Sequence, residues 1–392
     1  MKNAFLPLMT ALSIGIAGCS TAQSVETESR FDPSEAQLTA AEEPVTPVTT
    51  PEPEPEVYEA SFFFTGDALL HGAVYWDAGY ETRNWNFGKQ LDLFNDIAEK
   101  YDLQYYNQET ILGGVELGLS HYPTFNSPQE FGDYMLSRGY NLVSTATNHT
   151  LDRGEVAVLN SYNYWKSKSD QILMAGTYDS WEAQQEIPVR EINGITYTMI
   201  NYTYGMNGLL APEGREYLVN CYDGRKDELV EKVRQANEMV DVVIVAMHWG
   251  TEYSMEANDE QRELAQRLSE AGADIIVGNH PHVIQPIEWV NNTIVYYAMG
   301  NLISAQFNLE NKIGMYGTVR IVKTVTGDDV KVEILEPRAD LSYTFMDGNN
   351  KNIKVYPFSE LNDSILPGYE EIYERFKAKI NEYDDSIIVG GI

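Results

Sequence analysis

The chain of 392 residues carries 27 Lys and Arg against 59 Asp and Glu, a formal net charge of −32, with 43% hydrophobic residues. Length and apolar content are enough for a sizeable core in one large or two modest domains. The acidic balance repels phosphate backbones and anionic lipid heads, which excludes nucleic acid as an expected partner.

At the start, Lys2 precedes a mostly apolar stretch over residues 4–17, too short for a membrane span and suited to a signal peptide. It ends in Ile16-Ala17-Gly18-Cys19, which resembles a bacterial lipobox. Residues 1–19 are therefore expected to be a lipoprotein signal peptide with Cys19 lipidated, anchoring an extracytoplasmic protein to membrane lipid. A plain secretory signal with an incidental cysteine is the other reading. The second cysteine is Cys221, so a lipidated Cys19 leaves no internal disulfide. Residues 20–58 are rich in Glu, Thr, Pro and Ala, and Pro51-Glu52-Pro53-Glu54-Pro55-Glu56 predicts an extended, disordered tether. No later segment is long and apolar enough to span a bilayer.

Composition changes at Ser61-Phe62-Phe63-Phe64, a first strand running into Thr65-Gly66-Asp67. Leu91, Phe94, Ile97 and Ala98 are spaced for a helix over 89–100, and 103–106 reads as a strand ending at Asn107-Gln108-Glu109. Ser127-Pro128-Gln129-Glu130 reads as a capping box opening a helix that ends near Gly139. A strand over 141–145 leads to Asn148-His149, and a helix follows over 154–168. Strands near Ile172, over 195–201 and over 242–247 continue the alternation, with helices over 226–238 and 259–271. The apolar run Ala273-Asp274-Ile275-Ile276-Val277 reads as a buried parallel strand and delivers Gly278-Asn279-His280-Pro281-His282. A strand over 294–297 precedes Gly300-Asn301, and 316–323 with 330–335 read as a hairpin across Thr326-Gly327-Asp328. Alternation followed by hairpins predicts a layered α/β domain over 59–310, with 311–392 a hairpin and helical extension of it.

The strand ends collect Asp67, Asn107, Glu109, Asn148, His149, His248, His280 and His282, four of the six histidines in the chain. Taken singly, each has an ordinary reading: a turn aspartate, a solvated acid, an Asx turn, a satisfied histidine. Taken together, each lies at or just past a predicted strand's carboxyl end, where open α/β sheets bind ligands. Carboxylates, an amide oxygen and imidazoles are ligands for zinc, manganese or iron, and one bridging carboxylate can hold two ions.

The ordered motifs Gly66-Asp67, Asn107-Gln108-Glu109, Asn148-His149-Thr150-Leu151-Asp152-Arg153-Gly154, His248-Trp249-Gly250-Thr251-Glu252-Tyr253, Gly278-Asn279-His280-Pro281-His282 and Tyr297-Ala298-Met299-Gly300-Asn301-Leu302 resemble those of the CapA (PgsA) family. That family is associated with capsule poly-γ-glutamate synthesis and belongs to the calcineurin-like metallophosphoesterase superfamily. The resemblance implies a four-layer α/β/β/α metallophosphoesterase-like sandwich with antiparallel C-terminal additions, and two divalent ions (Mn, Zn or Fe). It implies Asp67 as a ligand of one ion, Glu109 at the bridging position, and Asn148 as a ligand of the second ion. His248 is implied as a further ligand, and His280 and His282 as ligands of one ion each. His149 is implied as a proton donor oriented by Asp152. Two positions depart from the superfamily pattern. Leu69 stands where a histidine is usual, with His71 two residues further on, and Glu109 stands in place of an aspartate.

The expected function is a membrane-anchored protein of poly-γ-glutamate synthesis, export or processing, working through a metal hydrolase site on anionic polymer or a phosphoester, with polyglutamate synthase subunits as partners. The alternative is a non-catalytic accessory or polymer-binding subunit of a membrane synthase complex. A solute-binding lipoprotein is a third class, against which the strand-end histidines argue.

Overall fold

Phe62, Phe63 and Phe64 send alternate rings to opposite faces of the first strand, and all three are fully buried. A strand covered on both faces implies a layer on each side, and the computed structural model, which describes residues 54–392, shows both. The stretch read as a signal peptide, Cys19, and the part of the expected tether up to residue 53 lie outside the described residues. Among those described, Cys221 is a free thiol, and no helix is long and apolar enough to cross a membrane.

In chain order the strands are β1 (Glu56–Ala68), β2 (Leu103–Asn107), β3 (Leu142–Ser144), β4 (Leu173–Ala175), β5 (Arg190–Ile192), β6 (Ile195–Thr203), β7 (Val242–His248) and β8 (Ile275–Asn279). Then come β9 (Ile287–Val290), β10 (Thr293–Tyr296), β11 (Asn301–Ile303), β12 (Ile313–Thr326), β13 (Asp329–Phe345), β14 (Lys354–Pro357) and β15 (Ile388–Val389). The helices are α1 (Gly72–Asp77), α2 (Gly88–Ala98), α3 (Glu130–Ser137), α4 (Gly154–Lys166), α5 (Trp181–Gln185), α6 (Lys226–Asn237), α7 (Asp259–Glu270), α8 (Leu309–Lys312) and α9 (Tyr369–Ile380).

One sheet runs β14-β13-β12-β1-β2-β3-β4, with β11 beside β1 and β15 beside β13; the other runs β5-β6-β7-β8-β10-β9. Both are mixed. β1, β2, β3 and β4 are mutually parallel, as are β6, β7, β8 and β10. Between the sheets, Phe62, Phe64, Tyr105 and Leu142 share one core with Met199, Ile244, Ala246 and Val277. On the outer face of the first sheet, Phe63, Tyr106 and Val143 pack with Leu91, Phe94, Phe131 and Trp165 of α2, α3 and α4. On the outer face of the second, Val243, Val245 and Ile276 pack with Leu229, Val233, Leu264 and Leu268 of α6 and α7. The order is helix, sheet, sheet, helix, the four-layer α/β/β/α arrangement expected.

Several boundaries differ from the sequence reading. β1 begins at Glu56, inside the span read as tether, because residues 56–58 pair with 323–325 of β12. β12 is no appendage: it lies antiparallel against β1 from Glu56 opposite Val325 to Thr65 opposite Tyr316, in the middle of its sheet. The helix placed at Ser127 starts at Glu130, with no side-chain cap; the Ser127 hydroxyl donates instead to Thr110 Oγ1 at 2.8 Å. A capping box does occur at α7, where Asn258 and Gln261 bond reciprocally. Phe376 and Ile380 of α9, a helix the sequence reading did not place, complete the inter-sheet core.

Candidate metal centre

Parallel β1, β2, β3, β7 and β8 all end on the same side, so their loops meet above the inter-sheet core. Two close backbone approaches make this possible. A Cβ at Gly66 would sit 1.9 Å from the carbonyl oxygen of Gly300, and one at Gly278 would sit 1.9 Å from that of Tyr297. Only glycine permits either contact. The loop after β8 carries a second signature: His280 and His282 have φ of +98° and +58°. Left-handed backbone at residues other than glycine costs about 1–3 kcal/mol each and clusters at functional sites.

These loops bring six side chains together. Ligand atoms of Glu109, His248 and His280 lie within 4.8 Å of one another, and so do those of Asp67, Glu109 and His282. Glu109 belongs to both groups. Its Oε1 lies 3.4 Å from His282 Nε2 and 4.0 Å from His248 Nε2. Asn148 joins the His248 side, where its Oδ1 accepts from His248 Nε2 at 2.9 Å. Asp67 Oδ1 accepts from Asn107 Nδ2 at 2.8 Å, and its Oδ2 accepts from the His280 backbone N–H at 3.1 Å. His149 stands beside this cluster with Nδ1 2.8 Å from Asp152 Oδ2, and its ring is edge-on to Phe125 at 4.7 Å.

The residues fit divalent ions on an observation independent of any motif. Glu109 is 1% exposed, and neither of its carboxylate oxygens has a hydrogen-bond partner among the described residues; His280 Nδ1 is likewise without one. A buried carboxylate without hydrogen bonds is costly unless cations meet it. Burial drives the Glu109 carboxyl well above the ordinary range, against the opposing pull of His282 and with the neighbouring Asp67 charge adding to it. Burial also holds His248 well below its ordinary value and His280 down to about 3, so both imidazoles are neutral, the form that ligates metals. Burial works against the charge on His282 too, but Glu109 and Asp67 together raise it to about 9.

Some contributors were not assigned roles from the sequence. Asn107 links Asp67 to Ser144, whose hydroxyl donates to Asn107 Oδ1 at 2.6 Å. Asn301 Oδ1 accepts from His282 Nδ1 at 3.0 Å, which fixes the ring with Nε2 turned toward Glu109. The signal for Asn301 was present, since it lies in the Met299-Gly300-Asn301-Leu302 motif, but its partner is 19 residues away. His71 joins neither group of metal-type ligands. Its Nδ1 lies 3.2 Å from the Leu69 carbonyl oxygen and 3.3 Å from the Ala305 nitrogen.

The fold and cluster define a four-layer α/β protein with two adjoining groups of buried ligands that could hold metal ions. Residues 61–306 match the family described as bacterial capsule synthesis protein PGA_cap, and the chain belongs to that family. It is 32% identical over 168 residues to the PGA biosynthesis protein CapA of Bacillus subtilis, covering 43% of each chain. It is 27% identical over 173 residues to the capsule biosynthesis protein CapA of Bacillus anthracis, covering 43% of this chain and 41% of that one. The chain thus spans less than half the length of these curated relatives. Among solved structures, TT1561 of Thermus thermophilus superposes with a TM-score of 0.37 at 10% identity, over 70% of this chain and 98% of that one.

Proposed function

We propose that the chain is a metal-dependent hydrolase of poly-γ-glutamate capsule synthesis or processing, anchored on the extracytoplasmic face of a bacterial membrane by Cys19 and working beside polyglutamate synthase subunits. The observation that carries the chemistry is Glu109, a buried carboxylate without hydrogen bonds that belongs both to an Asp67–His282 group and to a His248–His280 group. The membership of the chain in the capsule family supports the polymer as substrate.

Asp67, Glu109 and His282 would hold one ion, and Glu109, Asn148, His248 and His280 a second. Ions held there supply Lewis-acid polarisation of a carbonyl or phosphoryl oxygen and acidify water. The remaining steps belong to the protein. Asp152 accepts from His149 Nδ1 and orients the ring, leaving Nε2 as the nitrogen that would pass a proton to the leaving nitrogen or oxygen. Phe125 fixes the ring's tilt, and its own backbone N–H donates to Asp152 Oδ2 at 2.7 Å. Asn107 and the His280 amide orient the Asp67 carboxylate.

The test is to strip the purified protein with chelator, reload it with Mn²⁺ or Zn²⁺, and measure cleavage of γ-glutamyl polymer and of a simple phosphoester. The expected result is metal-dependent turnover of the polymer, lost in Asp67→Ala, His248→Ala and His282→Ala. Ion binding without turnover would instead support the accessory role, and turnover unaffected by these substitutions would overturn the proposal.

A further inference from the structure

A cavity of about 310 Å³ lies where β4, at the edge of the first sheet, meets β6 of the second, roofed by α4 and α6. None of its lining residues belongs to the histidine–carboxylate cluster. Its walls are apolar, with Trp165, Ile187 and Met199 prominent among them. Besides Lys166 of α4, two cations line the same space: Lys232 from α6 and Arg190 from β5.

In a chain of net charge −32, basic groups have acidic partners in abundance, yet neither of these two ion-pairs with a carboxylate among the described residues. Lys232 Nζ donates to the Gln184 carbonyl and stands 5.9 Å from the Tyr178 ring. Arg190 donates to the Ser169 carbonyl. Carbonyl dipoles satisfy donors but leave net positive charge. Lys166, on the same wall, is already paired with Asp179 at 3.0 Å. Glu186 is the one acid in the lining. Burial pulls the Lys232 ammonium down to about 8, the mark of a charge away from bulk water without a counter-ion.

We infer that this cavity is a second binding site, for a small organic acid whose carboxylate sits between Lys232 and Arg190 and whose aliphatic or aromatic body lies along Trp165, Ile187 and Met199. The volume holds roughly ten water-sized groups, which sets the scale of the ligand. An apolar pocket with a few convergent polar groups is the usual form of a small-molecule site. The site is independent of the metal centre, and its test does not use hydrolysis.

The probes are 4-phenylbutyrate and its uncharged isostere 4-phenylbutanamide, titrated calorimetrically and by methionine methyl NMR. The acid should bind at least tenfold more tightly than the amide, shift the Met174 and Met199 methyl signals that line the cavity, and lose at least tenfold in affinity in Lys232→Met. Equal binding of acid and amide, acid binding that leaves both methyl signals unmoved, or no binding at 5 mM would each overturn the assignment. The acid–amide comparison uses the unaltered chain, so it decides the matter even where the variant fails to fold.

Discussion

Asp152 accepts from both His149 Nδ1 and the Phe125 backbone N–H, so it is a fixed base for the imidazole and a staple for the loop beside it. Asp152→Asn should lower kcat on the polymer by roughly 10²-fold or more, the scale of general acid catalysis, while the metal content by elemental analysis stays at the wild-type level. Loss of bound metal in that variant would contradict the division of labour. Asn301 has the complementary role. It holds His282 Nδ1 and so aims Nε2 at Glu109. Asn301→Ala should weaken metal affinity roughly 10–100-fold, measured by competition with a chromogenic chelator, and unchanged affinity would remove Asn301 from the centre. At this scale the sequence reading was strongest. Asp67, Glu109, Asn148, His248, His280 and His282 were singled out as strand-end residues and converge in space. Asn107 and Asn301 received no role, because an amide's function is set by the partner it meets and that partner is distant in the chain.

At the scale of elements, Asp274 shows how a strand can carry a titrating group. It begins the run into β8, and its Oδ2 accepts from the Val243 backbone N–H at 2.7 Å. Burial raises its carboxyl to about 6, against the opposing hydrogen bond from Val243. For an acid raised in the folded state, the native protein binds more protons than the unfolded chain between the two values. The stability this provides is complete below about pH 4 and is lost as pH rises through about 6. Asp274→Asn should therefore be more stable than wild type at pH 7.5 by about 2 kcal/mol in urea denaturation, with the difference vanishing near pH 4. A constant difference across that range would refute the linkage. Element positions were legible wherever one face or both were continuously apolar, as at β7, buried at every residue. The helix start at Ser127 was not, because a serine three residues before a glutamate satisfies the capping pattern whether or not its hydroxyl finds a nearer tertiary partner such as Thr110.

For the whole molecule, the sheets are held both by their shared core and by a polar link. Lys323 of β12 donates to Asp241 Oδ2 at 2.7 Å, and the same oxygen accepts from the Thr196 backbone at the start of β6. The candidate metal centre lies at the other end of these strands and is built from loops of both sheets, so ions bound there should stabilise the fold as a unit. Adding Mn²⁺ or Zn²⁺ to chelator-treated protein should raise the calorimetric Tm, by an amount equivalent to about 4 kcal/mol when the free ion exceeds its Kd a thousandfold. Glu109→Gln should reduce that gain sharply, and a Tm indifferent to both ions would exclude a bound metal. The family match ends at residue 306, yet β12 closes the open edge of β1, and α9 fills the core between the sheets. From sequence alone came the α/β alternation, the strand ends and the set of metal-type ligands, since all are local consequences of hydrophobic period and residue chemistry. Which ligands share a group, which asparagines orient them, and that residues beyond 310 complete the central sheet were decided by tertiary structure, because they depend on contacts between segments that no local pattern relates.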